Sequence, residues 1–222
     1  MISSENEKPF DTLAVQHDGM VWNGTPSDFD REVDKRLQLY SMKGSTKKVL
    51  ALGGGSGHEL LPFVRSGCEC LLVDNSMGML TLAKEHFGTR IKYIYEDACE
   101  FVTNSKTRYD VILQIGELTS YIENPISLCM RCAGILEADG ILLLTIMDAE
   151  ELAKRIPKST RSPFDGGFYF LERREPELVA KAFYFENFIY HLKRAYTVVE
   201  TVRGMCPRAL IIAKNRAFKR NE

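Results

Sequence analysis

The sequence predicts an α/β protein: a mostly parallel sheet with helices on both faces, a helical segment before it and a small hairpin inserted late. Two observations carry this expectation. From Lys48 onward, short apolar runs alternate with amphipathic stretches at the pitch of strand, helix, strand, helix. The runs are also nearly continuous in apolar character, as strands covered on both faces require no polar alternation.

Each element follows in order. Lys48–Leu52 (KVLAL) is the first strand and stops at a glycine cluster. Glu59–Ser66 reads as a helix opening, and Cys70–Asp74 (CLLVD) as the second strand. Ser76–Phe87 places Met79, Leu80, Ala83 and Phe87 at helical spacing. Ile91–Tyr95 and Tyr109–Gln114 are the third and fourth strands, Pro125–Leu136 a helix and Ile141–Met147 the fifth strand. The pattern then changes. Residues 149–190 hold a charged helical piece, a loop and two aromatic segments, Phe168–Leu171 and Phe183–Phe185. Pro176 between the segments signals a turn, hence an antiparallel hairpin. Asn187–Ala195 reads as a helix, and Tyr196–Arg203 and Arg208–Lys214 as two closing strands. Residues 1–47 read as an accessory helical segment, with Phe10, Leu13, Trp22 and Leu37 available for packing, and residues 48–222 as the main domain. The tail after Lys214 is basic and expected in solvent.

Composition narrows the function. Twenty-nine Lys and Arg balance thirty Asp and Glu, for a net charge of -1. Such a chain has no uniform basic field, so nucleic acid is not an expected partner. No apolar run reaches the length of a membrane span, and the amino terminus lacks the pattern of a secretory signal, so a cytoplasmic location is expected. The six cysteines then read as reduced thiols. Cys129 and Cys132 form one CxxC on a helix, but no second pair completes four zinc ligands, so no metal site is expected.

Four features fall at the carboxyl ends of predicted strands, where open parallel sheets bind ligands. The first is Gly53-Gly54-Gly55-Ser56-Gly57, between a strand and a helix. Glycine there permits a tight turn and close approach of a ligand to the main chain. The dinucleotide fingerprint needs a glycine where His58 stands, and no lysine followed by Ser or Thr completes a phosphate loop. The second is Asp74, whose carboxylate can accept both hydroxyls of a ribose or can be a plain strand-end acid. Asn75-Ser76 follows as a helix cap, with Met79 and Leu80 offering an apolar surface for an adenine. The third is Asp97-Ala98, where an acid followed by a backbone N–H can read an adenine edge or cap a helix. The fourth is Gln114-Ile115-Gly116-Glu117 at the end of the fourth strand.

These residues together resemble the class I S-adenosylmethionine-dependent methyltransferases. VLALGGGSG is similar to that family's first motif, and VDNSMGML to its Asp-x-Ser-x-x-Met-Leu pattern. EDA, YDVILQIGELTSYIENP and ILEADGILLLTIMD resemble the adenine-reading step, the fourth-strand motif and the turn into the fifth strand. The resemblance implies a Rossmann-like three-layer sandwich, with a seven-stranded sheet whose last strand is antiparallel. It implies S-adenosyl-L-methionine as cofactor, with Gly53 and Gly55 at its methionine part, Asp74 on the ribose, Met79 along the adenine, and Asn75 among the cofactor-binding residues. Asp97 and Ala98 would then read the adenine edge, and Gln114 would border the methionine end. One position departs: the family's first motif carries Asp or Glu where this chain has Ala51. That leaves open a reaction at another sulfonium bond, with cyclisation or transfer of the aminobutyrate arm and release of methylthioadenosine.

For methyl transfer, placement of an already activated methyl supplies much of the catalysis. Glu117 and Tyr121, just after the fourth strand, are the candidate catalytic groups. The six aromatics of the inserted region read as hairpin core or as an acceptor pocket. The expected acceptor is a small molecule, N- or O-methylated, and the expected state a monomer or homodimer.

Overall fold

The computed structural model describes residues 7–42, 47–172 and 178–216. The turn expected at Pro176 and the end of the basic tail lie outside the described residues.

Two helices come first, α1 (Glu7–Asn23) and α2 (Asp28–Ser41). The second has a capping box: Ser27 Oγ accepts from the Asp30 N–H while the Asp30 carboxylate accepts from the Ser27 N–H. Then come β1 (Lys48–Leu52), a single 3-10 turn and α3 (Leu61–Arg65), β2 (Glu69–Asp74), α4 (Met77–Phe87) and β3 (Lys92–Tyr95). They are followed by α5 (Ala98–Asn104), β4 (Tyr109–Gln114), α6 (Leu118–Tyr121), α7 (Pro125–Ile135) and β5 (Leu136–Met147). The remainder is α8 (Ala149–Ala153), β6 (Arg161–Phe164), β7 (Gly167–Glu172), β8 (Leu178–Phe183), α9 (Phe185–Leu192), β9 (Tyr196–Val202) and β10 (Arg208–Asn215).

The seven-stranded sheet has the order β3-β2-β1-β4-β5-β10-β9. β1 to β5 pair in parallel, and β10 enters antiparallel between β5 and β9. The order reverses between β1 and β4, so a crevice opens at the carboxyl end of β1.

Alternation along each strand feeds two cores. Leu50, Leu52, Ile112, Leu142 and Leu144 face α5, α7 and α9, meeting Phe101, Leu128 and Phe188. Val49, Ala51, Val111, Leu113 and Leu143 face the other way, against Phe29 and Leu37 of α2, Phe63 of α3 and Phe87 of α4. Burying each large side chain contributes about 1.5–3 kcal/mol, so this double-sided apolar pattern fixes the three-layer architecture.

The inserted region differs from its expectation in two respects. It forms a three-stranded antiparallel sheet, β6-β7-β8, where a two-stranded hairpin was expected. The second aromatic segment leaves the strand at Phe183, and Phe185 opens α9 instead, two residues before the expected start. Phe168 and Phe170 pack with Ala180, Ala182, Met147, Leu13 and Tyr121 in a third core. They are hairpin core. Tyr169, Phe183 and Phe164 line a separate cavity of about 230 Å³.

Candidate active site

β1 delivers the chain to the glycine loop, and the Gly53 N–H donates back to the Val73 carbonyl at 2.8 Å, tying the loop to β2. Gly53 (φ 60°) and Gly55 (φ 53°) both lie in the left-handed region that side-chain-bearing residues rarely adopt. A Cβ on Gly53 would stand 2.8 Å from the Leu118 side chain. A Cβ on Gly55 would meet only the Met79 sulfur at 3.6 Å and a His17 ring carbon at 4.0 Å. The main chain at Gly55 therefore borders a cradle that a side chain would fill.

Asp74 closes the other side of the loop. Its Oδ2 accepts from the Gly55 N–H and its Oδ1 from the Ser76 N–H, both at 2.8 Å. An ionised carboxylate has about four lone-pair sites, so those two bonds leave capacity for a pair of ligand hydroxyls. The side chain is buried, and burial raises its pKa. The N–H groups of Gly55, Ser76 and Asn75 pull the other way, while the charge of Asp11 adds to the rise.

Asp11 belongs to α1. Its Oδ1 accepts from Ser76 Oγ at 2.7 Å and from the Gly78 N–H at 2.9 Å. A carboxylate on the first turn of a helix is favoured by the unpaired N–H groups there. α1 thus docks on the start of α4 and runs along the mouth of the cleft. Phe10 meets the Tyr121 ring edge-on at 5.1 Å, and Trp22 stacks on His86 at 4.0 Å and donates to Ser56 Oγ at 3.0 Å.

The cleft encloses a cavity of about 1090 Å³. Of the residues singled out in the sequence, Gly53, Gly55, Asp74, Asn75, Met79, Asp97, Ala98, Glu117 and Tyr121 all line it. Asp97 also caps α5, its Oδ1 accepting from the N–H groups of Cys99 and Glu100 at 2.8 and 3.1 Å. Tyr121 Oη donates to Glu117 Oε2 at 2.9 Å, one turn apart.

Gln114 is the exception. Its side chain is fully buried under α7, with Nε2 donating to Cys132 Sγ at 3.3 Å and Oε1 accepting from Cys129 Sγ at 3.6 Å. It turns away from the cleft because strand side chains alternate, and position 114 falls on the α7 face of β4. The two cysteines are free thiols. Burial pushes the Cys129 thiol up to about 12 and Cys132 well above its usual range, so neither is a ready nucleophile or metal ligand.

Two residues at or beside the cleft were given no role in the sequence reading: Asp11 and Glu59. Asp11 acts through contacts distant in sequence and leaves no local signature. Glu59 does leave one, as an acid at the head of an otherwise apolar run (ELLPFV) directly after the glycine loop.

Residues 49–140 match the family model described as a methyltransferase domain. Over these residues the chain is similar to that domain. Its sheet has the Rossmann-like class I order, with the last strand antiparallel. Among curated proteins, the chain is 27% identical over 129 residues to a ubiquinone biosynthesis O-methyltransferase of Aliivibrio fischeri, covering 51% of this chain and 55% of that protein. The chain thus spans about half the length of the curated relatives it matches. Solved structures of the same fold include an S-adenosylmethionine-dependent methyltransferase from Clostridium acetobutylicum (TM-score 0.68, 15% identity, 94% of this chain and 100% of that one). Another is the Burkholderia thailandensis 1,6-didemethyltoxoflavin-N1-methyltransferase, solved with that substrate and S-adenosylhomocysteine (TM-score 0.67, 17% identity, 95% and 87%). Among the described residues no helix is long and apolar enough to cross a membrane.

Proposed function

We propose that this chain transfers a methyl group from S-adenosylmethionine to a nitrogen or oxygen of a small molecule. The observation that carries the reading is the joined pair at the sheet's reversal point. The open main chain at Gly55 and the Asp74 carboxylate are held together at 2.8 Å, and both face one cavity. An open main-chain surface beside an acceptor carboxylate suits a ligand that has an amino-acid arm on one side and a ribose on the other.

When bound, S-adenosylmethionine supplies a methyl group already activated by its sulfonium. The chain's residues then have binding and placing to do. Asp74 accepts the two ribose hydroxyls with its remaining lone pairs. Asn75 and Met79 give the adenine a surface, and Asp97 with the Ala98 N–H reads its edge. Glu117 and Tyr121 stand at the acceptor end. The tyrosine hydroxyl donates to Glu117 and orients its carboxylate, which can take a proton from an acceptor that must lose one. Helices α1 and α2 serve as a lid, α1 keeping water from the transfer site. The cavity, about 1090 Å³, slightly exceeds the usual range for ligand sites, about 300–1,000 Å³, which leaves room for a compact acceptor beside the nucleoside. The names of two similar proteins, for ubiquinone biosynthesis and for didemethyltoxoflavin, support the same acceptor class.

Ala51 keeps the second reading in play, cleavage of another sulfonium bond. Mass spectrometry of turnover on a panel of small phenols, catechols and heterocyclic amines separates the two. The proposal predicts S-adenosylhomocysteine together with a methylated acceptor. Methylthioadenosine without S-adenosylhomocysteine would overturn it.

A further inference from the structure

The Glu59 carboxyl is more than nine-tenths buried, and its Oε1 has no hydrogen-bond partner among the described residues. Burial in that state is costly for a carboxylate, which accepts hydrogen bonds and donates none. The group is not tucked into a core by accident of packing, for it lines the main cavity. Its position is also defined. A Cβ built on Gly54 would lie 2.5 Å from Glu59 Oε1 and 3.1 Å from the Ala51 Cβ. The carboxyl therefore sits directly under the glycine loop, in the space beside the small methyl of Ala51. A bulkier residue at 51 or any side chain at 54 would occupy that space. Arg208, a cation that lines the same cavity, is already engaged by Asp30 at 2.7 Å.

We propose that Glu59 is the anchor for a primary ammonium group, the one on the amino-acid arm of the bound ligand. This inference rests on the cofactor reading above and deepens it. The acid that Ala51 lacks has moved from the end of β1 to the opening of the following helix, and approaches the same loop from below. In the ligand-free chain, burial holds the Glu59 carboxyl up at about 8, with the Asp74 charge adding to the effect, so it is protonated at neutral pH. An arriving ammonium favours the ionised form and supplies the donor that Oε1 lacks.

Calorimetry with two ligands tests this. S-adenosylhomocysteine carries the ammonium; methylthioadenosine has the same adenosine without the arm. Glu59→Gln is expected to bind S-adenosylhomocysteine at least tenfold more weakly than the wild-type chain and methylthioadenosine within twofold. Equal losses on both ligands would overturn the assignment, since Glu59 would then only shape the loop. So would unchanged affinity for S-adenosylhomocysteine. A second measurement needs no variant: the wild-type chain should bind an S-adenosylhomocysteine analogue lacking the α-amino group at least tenfold more weakly than the parent, and equal binding overturns the proposal. A wild-type chain that binds neither nucleoside refutes the cofactor reading and this inference with it. One that binds both alike refutes only the ammonium anchor.

Discussion

Replacing Asp74 by Asn keeps the shape of the side chain and removes its charge, and the structure fixes what is lost. Each carboxylate oxygen holds one backbone N–H at 2.8 Å, from Gly55 and from Ser76. Asn offers one oxygen, so one of these donors faces an NH₂ group and goes unpaired. Leaving a buried donor unsatisfied costs about 1–3 kcal/mol, which lowers the melting temperature by roughly 2–10 °C in a chain of this size. Binding loses a separate amount. Hydrogen bonds from ribose hydroxyls to an ionised group are worth about 1.5–3 kcal/mol, so affinity for methylthioadenosine should fall roughly ten- to a hundredfold. A ligand-side deletion isolates that term from loop damage. In the wild-type chain, removing the ribose 2′-hydroxyl should weaken binding by about tenfold; in Asp74→Asn the same deletion should matter much less, as a double-mutant cycle requires. Calorimetry on the four combinations reads the coupling. If the 2′-deoxy ligand loses as much affinity in the variant as in the wild type, Asp74 does not hold the ribose.

Three further outcomes are expected. Asp11→Ala removes the carboxylate that joins α1 to the start of α4; hydrogen exchange of α1 should speed up by roughly five- to thirtyfold, corresponding to about 1–2 kcal/mol, while the sheet amides keep their protection. Tyr121→Phe removes the donor to Glu117 and should lower turnover by about fivefold, near 1 kcal/mol, with S-adenosylhomocysteine affinity unchanged; loss of affinity instead would make Tyr121 part of the cofactor wall. Glu59 gives a pH signature. Its carboxyl titrates near 8 in the folded chain against 4.5 ordinarily, so the folded state holds a proton that the unfolded state releases across that window. Stability from this group is therefore fully present below about 4.5 and declines as pH rises towards 8, by about 3 kcal/mol at pH 7. Urea unfolding of Glu59→Gln should lack this decline and should show a chain more stable than the wild type at pH 8.

Much of this molecule is legible in its sequence because burial on both faces writes strands as unbroken apolar runs. Lys48–Leu52 and Tyr109–Gln114 end where the expectation ended them, since a glycine or polar cluster punctuates each. Helix α4 announces itself through Ser76, whose Oγ accepts from the Met79 N–H, and through its buried stripe. The same property hides the direction of a side chain. In a strand with two apolar faces, no alternation says which face Gln114 takes, and it takes the one under α7. β6 was invisible because Arg161–Phe164 contains a proline and a single large apolar residue; it pairs at the edge of the small sheet through β7. α9 begins early because Tyr184 holds the extended conformation of a cap. The docking of α1 depends on Asp11 reaching Ser76 and Gly78, which is not a local property of the chain. Glu59 shows locally as an acid heading an apolar run, but its burial under the glycine loop is set by the fold.

The most direct test is a crystal structure of the chain grown with S-adenosylhomocysteine. The account predicts adenosine in the cleft between α1 and the sheet, with both ribose hydroxyls within hydrogen-bond distance of the Asp74 carboxylate and the amino-acid arm over the Gly53–Gly55 main chain. Density for the nucleoside elsewhere, or a cleft closed by the chain's own side chains at saturating ligand, would contradict it.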